Sequence, residues 1–366
     1  NSTGGITLRN VATSGQQTYT GPVTLGGAAG TEVRLESSPA TGGGVKFLGD
    51  VNGTPGLLVT SNKNELGNVT TTGPQTYNGL VTILNGNISA GAQVFFAGAV
   101  TLGGTAGSTI NVGTVGAGNV IFDRTVNGPD ALVVSAAGVT GNVAFNGVVG
   151  GTAALRSLAV TAPNITLGGS AACINTRDGG ITLTGGTRLQ ASSVALNSVG
   201  GSAADILLDG TVTGTSALAN SLVLNAGAGN ATIRATVGSD AIPLGGIVST
   251  AATTRIMAPG ATTGQVIAGS LGVTGATVLG DATGPVSVDV RNPPDRLAVQ
   301  SDVMRFMGPV TLDHNATLRL GNGSVFFSST VDSASDVTPR SLTLTSTLTP
   351  DLFLKTGDAS VQAPIK

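Results

Sequence analysis

The strongest constraint on this chain is a unit that keeps returning along it. An apolar-x-Phe segment leads through a turn to Val-x-Gly, then through a polar excursion to Leu-x-Val. Val45-Lys46-Phe47, Val51-Asn52-Gly53 and Leu57-Leu58-Val59 make one copy. Val120-Ile121-Phe122, Val126-Asn127-Gly128 and Leu132-Val133-Val134 make another. Val143-Ala144-Phe145, Val148-Val149-Gly150 and Leu158-Ala159-Val160 make a third. Degenerate copies run from Ile206 to Leu224 and from Val325 to Leu344. A shorter motif, aromatic-x-Gly-x-Val-Thr-Leu/Ile, recurs at Tyr19 to Leu25, Tyr77 to Ile83 and Phe306 to Leu312. Self-similarity of this kind marks an architecture in which each unit buries its apolar side only against its neighbours.

Within the units, apolar residues alternate with Thr, Ser or Asn, as in Val23-Thr24-Leu25 and Ile181-Thr182-Leu183-Thr184. That is the period of a strand with one wet face. Gly and Asn fall between the strands, at corners where the backbone turns. Phe96, Phe122 and Phe145 are 26 and 23 residues apart, which sets a coil of about 20–26 residues, as in a parallel β-helix. The chain of 366 residues is therefore expected to be all-β: a right-handed parallel β-helix of roughly 16 coils, stacked about 4.8 Å apart. Residues 1–366 are expected to form one continuous solenoid with little or no helix. Phe47, Phe96, Phe122 and Phe145 should stack inward. The charged, proline-bearing stretch Arg291 to Arg296 is expected to be a long corner, a kink or a protruding loop.

Composition narrows the alternatives. With three Glu and four Lys against 57 Gly, long helices lack their usual building blocks. Net charge is only −2 and mean hydropathy is positive, the opposite of a disordered chain. An array of β-sandwich domains also reads as short strands and turns, but such cores need large aromatics, and this chain has nine Phe, two Tyr and no Trp. Scattered Arg residues give no basic stripe for nucleic acid. The absence of aromatic girdles speaks against a transmembrane barrel, so no membrane insertion is expected. The opening Asn1-Ser2-Thr3 reads as a processed chain or an excerpt.

The Val-x-Phe, Val-x-Gly and Leu-x-Val units, together with Ala162 to Leu167 (APNITL) and Gly179 to Thr184 (GGITLT), resemble the β-strand-repeat regions of large bacterial exoproteins, the filamentous-haemagglutinin-like adhesins. The resemblance implies a secreted, cell-surface, non-enzymatic protein, with surface glycans among its partners.

The residues themselves offer little chemistry. A polysaccharide-cleaving β-helix needs clustered carboxylates, whereas Asp205 and Asp209, Asp289 and Asp295, and Asp332 and Asp336 stand apart in sequence. His314, the single His, reads as a turn residue, and one His with one distant Cys makes no zinc site. Cys173 reads as a small buried apolar residue. Gly116-Ala117-Gly118 and Gly227-Ala228-Gly229 read as turns, because no helix follows them. N-x-S/T triplets, among them those at Asn1, Asn68, Asn87, Asn164, Asn230, Asn315 and Asn322, are close to chance frequency. Thr343, Thr345, Thr347 and Thr349 alternate along one strand without recurring coil after coil, which weighs against ice binding. No catalytic, cofactor-binding or metal-binding residue is assigned. The expected function is an extracellular structural protein that self-associates end to end into filaments of a surface or biofilm matrix. Gly5-Ile6-Thr7-Leu8 begins almost at once, and the tail from Val361 is short, so neither end offers a cap. A segment of a giant monomeric adhesin and a carbohydrate-active enzyme are the competing readings.

Overall fold

Inward apolar residues that recur every second position have to meet like residues from another strand, and the register between strands shows how they do so. The computed structural model describes residues 5–38, 42–104, 107–113, 118–136, 138, 140–169, 172–201, 204–234, 236–257, 264–281, 284–290, 303–321, 324–335, 338–346 and 351–354. These form an all-β parallel β-solenoid of about 13 turns with no helix. The chain divides into two compact units, Asn1–Asn175 and Thr176–Lys366.

In the first unit three strands make a turn, one on each of three faces, A, B and C. Strand β1 (Ile6–Leu8) lies on face A, β2 (Val11–Thr13) on B and β3 (Gln17–Tyr19) on C. The next turn repeats them as β4 (Val23–Leu25), β5 (Glu32–Ser37) and β6 (Gly44–Phe47), and the third as β7 (Val51–Gly53), β8 (Gly56–Thr60) and β9 (Lys63–Leu66). All pair in parallel, with Ile6 on Val23, Val11 on Leu35 and Tyr19 on Phe47. The inward column of face A continues through Val51, Val69, Ile88 and Ile110, all buried. A coil too thin to hide its own apolar side is thus covered by the coils above and below it.

The second unit follows the same rule. Its columns include Leu183, Leu208, Ile233, Ile256 and Leu279. Another holds Val212, Val237, Val266, Val288 and Leu318. A third runs from Leu196 through Leu224, Ser249 and Val273 to Phe306 and Phe327.

Turn length ranges beyond the 20–26 residues read from the sequence, and there are about 13 turns, not 16. Ile6 to Val23 takes 17 residues, Val23 to Val51 takes 28, and Thr277 to Val310 takes 33. Strand length varies too, from two residues at Val126–Asn127 to twelve at Gly246–Met257, and between Leu25 and Glu32 the additional residues collect at a corner. The stretch Arg291 to Arg296, within the longest of these turns, lies outside the described residues.

The aromatic stack is real but is not single. Tyr77, Phe96, Phe122 and Phe145 form one column on face B, with ring centroids 5.2, 5.2 and 5.0 Å apart and nearly parallel planes. Phe47 is buried but stands on face C, stacked on Tyr19 at 5.4 Å. Its column continues inward with leucines, Leu66 pairing with Leu84 and Leu84 with Leu102. Phe306 and Phe327 make a separate pair in the second unit, at 5.3 Å. Copies of the repeated motif therefore sit on different faces.

The short motif shows this most clearly. At Val23-Thr24-Leu25 the threonine is exposed between two buried residues. At Val81-Thr82-Ile83 the order inverts: Thr82 is fully buried and its neighbours are only half-buried. The cause lies at the corner, where Asn62 O accepts hydrogen bonds from both Leu80 N and Val81 N (3.0 and 3.4 Å). One residue is absorbed there, leaving Leu80 73% exposed. Thr82 then stacks on buried Asn64, whose Nδ2 donates to Thr82 Oγ1 at 3.2 Å, while Ser61 Oγ donates to Asn64 Oδ1 at 2.7 Å. A one-residue slip flips every side chain between faces, and pairing to the strand below decides the phase.

Candidate functional site

Corners carry most of the polar chemistry. Asparagines just before strands accept a backbone N–H from the following turn. Asn68 Oδ1 takes Asn87 N, Asn87 Oδ1 takes Thr109 N, and Asn315 Oδ1 takes Ser341 N, each at 2.9 Å. Asp205 Oδ1 plays this part for Asn230 N at 2.7 Å. The N-x-S/T triplets at Asn68, Asn87 and Asn315 are thereby explained as structure, and at Asn230 the side-chain Nδ2 instead donates to Asp205 Oδ1 at 3.2 Å. An Asn at the corner, an inward apolar residue and an outward Thr or Ser are what the first three positions of such a strand require. Asn1 and Asn322 lie outside the described residues, and Asn164 Nδ2 donates to Gly141 O at 3.4 Å.

Carboxylates singled out from the sequence are used in the same way. Asp205 holds Asn230, and Asp209 Oδ2 lies 3.8 Å from Arg234 Nη1. Asp289 is buried in the strand Val286–Val290, and Asp332 sits on Val331–Ser333. Asp295 and Asp336 lie outside the described residues. His314 occupies a corner, its Nδ1 accepting Asn315 N at 2.8 Å. Cys173 differs from expectation: it is half-buried, not buried, and its Sγ donates to Asn175 Oδ1 at 3.2 Å. It stands on the strand Ala172–Thr176 next to inward Ile174, so the strand's alternation turns it outward. Among the described residues no three His, Cys, Asp or Glu side chains are grouped to hold a metal ion.

The outward rows of the first unit are chemically distinct. Face A presents one polar residue per turn, Thr24, Asn52, Thr70, Ser89 and Asn111, in register. Face C carries the ion pair Lys46 Nζ to Glu65 Oε1, 2.7 Å long and partly exposed, of modest energetic weight in such a setting. Face B presents Phe95 and Ile121, also in register and half-buried.

Beside that apolar pair, at the corner leading to face C, lies a groove of about 270 Å³. It is lined by Asp123, Arg124, Thr125, Asn146, Gly168 and Gly169, among others. Successive turns place Asp123 under Asn146, with Asn146 Nδ2 donating to Asp123 Oδ1 at 3.3 Å. Glycine is required at its floor: Gly169 has φ +88° and a Cβ there would meet Asn146 O at 2.6 Å. Residues read as isolated in sequence are thus brought together by stacking. The signal was present in the repeat, since Asp123 follows Phe122 as Asn146 follows Phe145, 23 residues later.

Buried polar groups form a second recurring device. Gln75 Nε2 donates to Thr71 Oγ1 (2.9 Å) and Ser89 O (2.8 Å), and Tyr77 OH donates to Gln75 Oε1 (2.7 Å). Gln17 repeats the pattern with Thr13 Oγ1 (3.1 Å), Glu36 O (2.7 Å) and Tyr19 OH (2.9 Å). Burial pushes the Tyr77 phenol far above its ordinary pKa, so it remains a neutral donor. This network is architectural and keeps a corner dry.

Comparison with protein-family models, with curated proteins and with solved structures finds no match for this chain.

Proposed function

We propose that this chain is a non-enzymatic extracellular structural protein that associates end to end, in the manner of the filamentous-haemagglutinin-like exoproteins its repeats resemble. The observation that carries the proposal is the stacking rule itself. Each turn hides its apolar side against the turns on either side of it: Val23 lies between Ile6 and Val51, and Leu35 between Val11 and Val59, and both are at most 1% exposed. Turns of a second copy of this chain present the same parallel ladder and the same apolar columns, so two copies are complementary along the stacking direction. Such a head-to-tail contact does not close, so it propagates. The extracellular placement rests on the resemblance.

Electron microscopy of concentrated protein is the test. Filaments one solenoid wide are expected, and Ile6→Lys, which places a charge in the inward column of face A, should disperse them. Dispersed monomers at high concentration would overturn the proposal and favour a segment of a longer monomeric adhesin. Polysaccharide cleavage by the purified chain would overturn the non-enzymatic reading.

A further inference from the structure

We propose that the corner groove over Asp123, Arg124 and Asn146 is a binding subsite for a neutral saccharide. Four observations converge on it. Its volume of about 270 Å³ lies just under the usual small-molecule range of about 300–1,000 Å³, which suits a single ring or the end of a chain. Its side chains present both hydrogen-bonding senses within one corner: the Asp123 carboxylate and Asn146 carbonyl accept, while the Arg124 guanidinium donates. A ligand whose neighbouring hydroxyls each donate and accept satisfies that set, whereas an anion meets Asp123 and a cation meets Arg124.

The third observation is the adjoining apolar surface. Ile121 lies on the strand Val120–Phe122, two positions before Asp123 at the corner that follows it, and Phe95 is its register partner one turn earlier. Both point outward and remain half-buried, a surface against which the C–H side of a sugar ring packs. The fourth is the floor. Gly147, Gly168 and Gly169 line the groove, and a Cβ on Gly147 would meet Arg124 C at 2.5 Å. Stacking demands glycine there, and the absence of side chains keeps the groove open.

The proposal goes beyond the structural reading and does not depend on filament formation, so binding is measured on the dispersed Ile6→Lys protein as well as on the parent chain. The probes are cellotriose, mannotriose and xylotriose as neutral trisaccharides and trigalacturonate as an acidic one, read by saturation-transfer NMR and titration. At least one neutral trisaccharide is expected to bind, with dissociation constants on the order of millimolar, the weak end of the affinity scale. Asp123→Ala and Asn146→Ala should each weaken it at least tenfold. Thr232→Ala, on the outer surface of the second unit, should leave it unchanged. Both groove substitutions are at exposed positions, and an unaltered melting curve verifies that the fold survives; Arg124→Met gives a third variant should either one perturb it. Absence of binding by all three neutral probes would overturn the proposal. So would binding that survives the groove substitutions, or a preference for trigalacturonate.

Discussion

Phe122→Ala is expected to lower the stability of the first unit by about 3–5 kcal/mol, the cost of emptying a fully buried aromatic site. Phe122 is 0% exposed, and its ring lies between Phe96 and Phe145 at 5.2 and 5.0 Å. Truncation removes both stacking contacts at once, each worth about 0.5–1.5 kcal/mol beyond burial. Neighbouring coils are held by the same backbone ladder and relax little into the space. Urea denaturation followed by hydrogen exchange checks the effect. Amides of Val94–Phe96 and Asn142–Phe145 should lose protection first, because a solenoid transmits energy mainly between adjacent turns. Val133→Ala, at a position 42% exposed, should change stability by no more than about 0.5 kcal/mol.

Gln75→Leu is expected to cost about 3 kcal/mol, and Gln17→Leu less than half as much, although the two glutamines make the same three hydrogen bonds. Leucine at position 75 leaves the Tyr77 hydroxyl without its acceptor and the Ser89 carbonyl without the Gln75 amide, while the Thr71 hydroxyl loses one donor and keeps its bond to Gly73 O. Each orphaned buried group costs about 1–3 kcal/mol, partly recovered where a group finds another partner. Around Gln17 the setting is wetter: Tyr19 is half-buried and Thr13 exposed, so water replaces the lost bonds. Thermal melting of the two variants side by side provides the comparison. Equal losses would show that burial of the network is not what sets its strength.

How much of this was legible in the sequence follows from what is local and what is not. The in-out alternation, the inward Phe residues and the glycine corners depend on neighbouring residues, and they are read off the chain directly. Facing is not local. Tyr19 and Tyr77 each close the same run, Thr-x-x-x-Gln-x-Tyr, yet the first rounds the corner from face B to C and the second from A to B. Three similar corners accept one motif equally well, so its recurrence does not report a whole number of turns. Thr82 turned inward because β9 placed Asn64 beneath it, a fact of pairing that Val81-Thr82-Ile83 alone does not contain. Turn count suffered likewise, since a corner insertion such as Gly26 to Thr31, between the strands Val23–Leu25 and Glu32–Ser37, leaves no periodic trace. The groove was half-visible: the Phe122-Asp123 and Phe145-Asn146 pairs aligned it, but its volume comes from glycines contributed by the two turns that follow Asp123.

The account rests on register, on which residue lies over which in the next turn, and cysteine cross-linking measures register directly. In a Cys173→Ser background, Thr70→Cys with Ser89→Cys joins two outward positions that are paired across adjacent turns. Stacked strands place such Cα atoms about 4.8 Å apart, within the disulfide range of about 4.4–6.8 Å. Thr24→Cys with Thr82→Cys joins two positions that the repeated motif equates but that the fold separates, one exposed on face A and one buried on face C. Mild oxidation should close the first pair nearly completely and leave the second pair as thiols. Ready closure of the Thr24 and Thr82 pair, with none between positions 70 and 89, would contradict the stacking described.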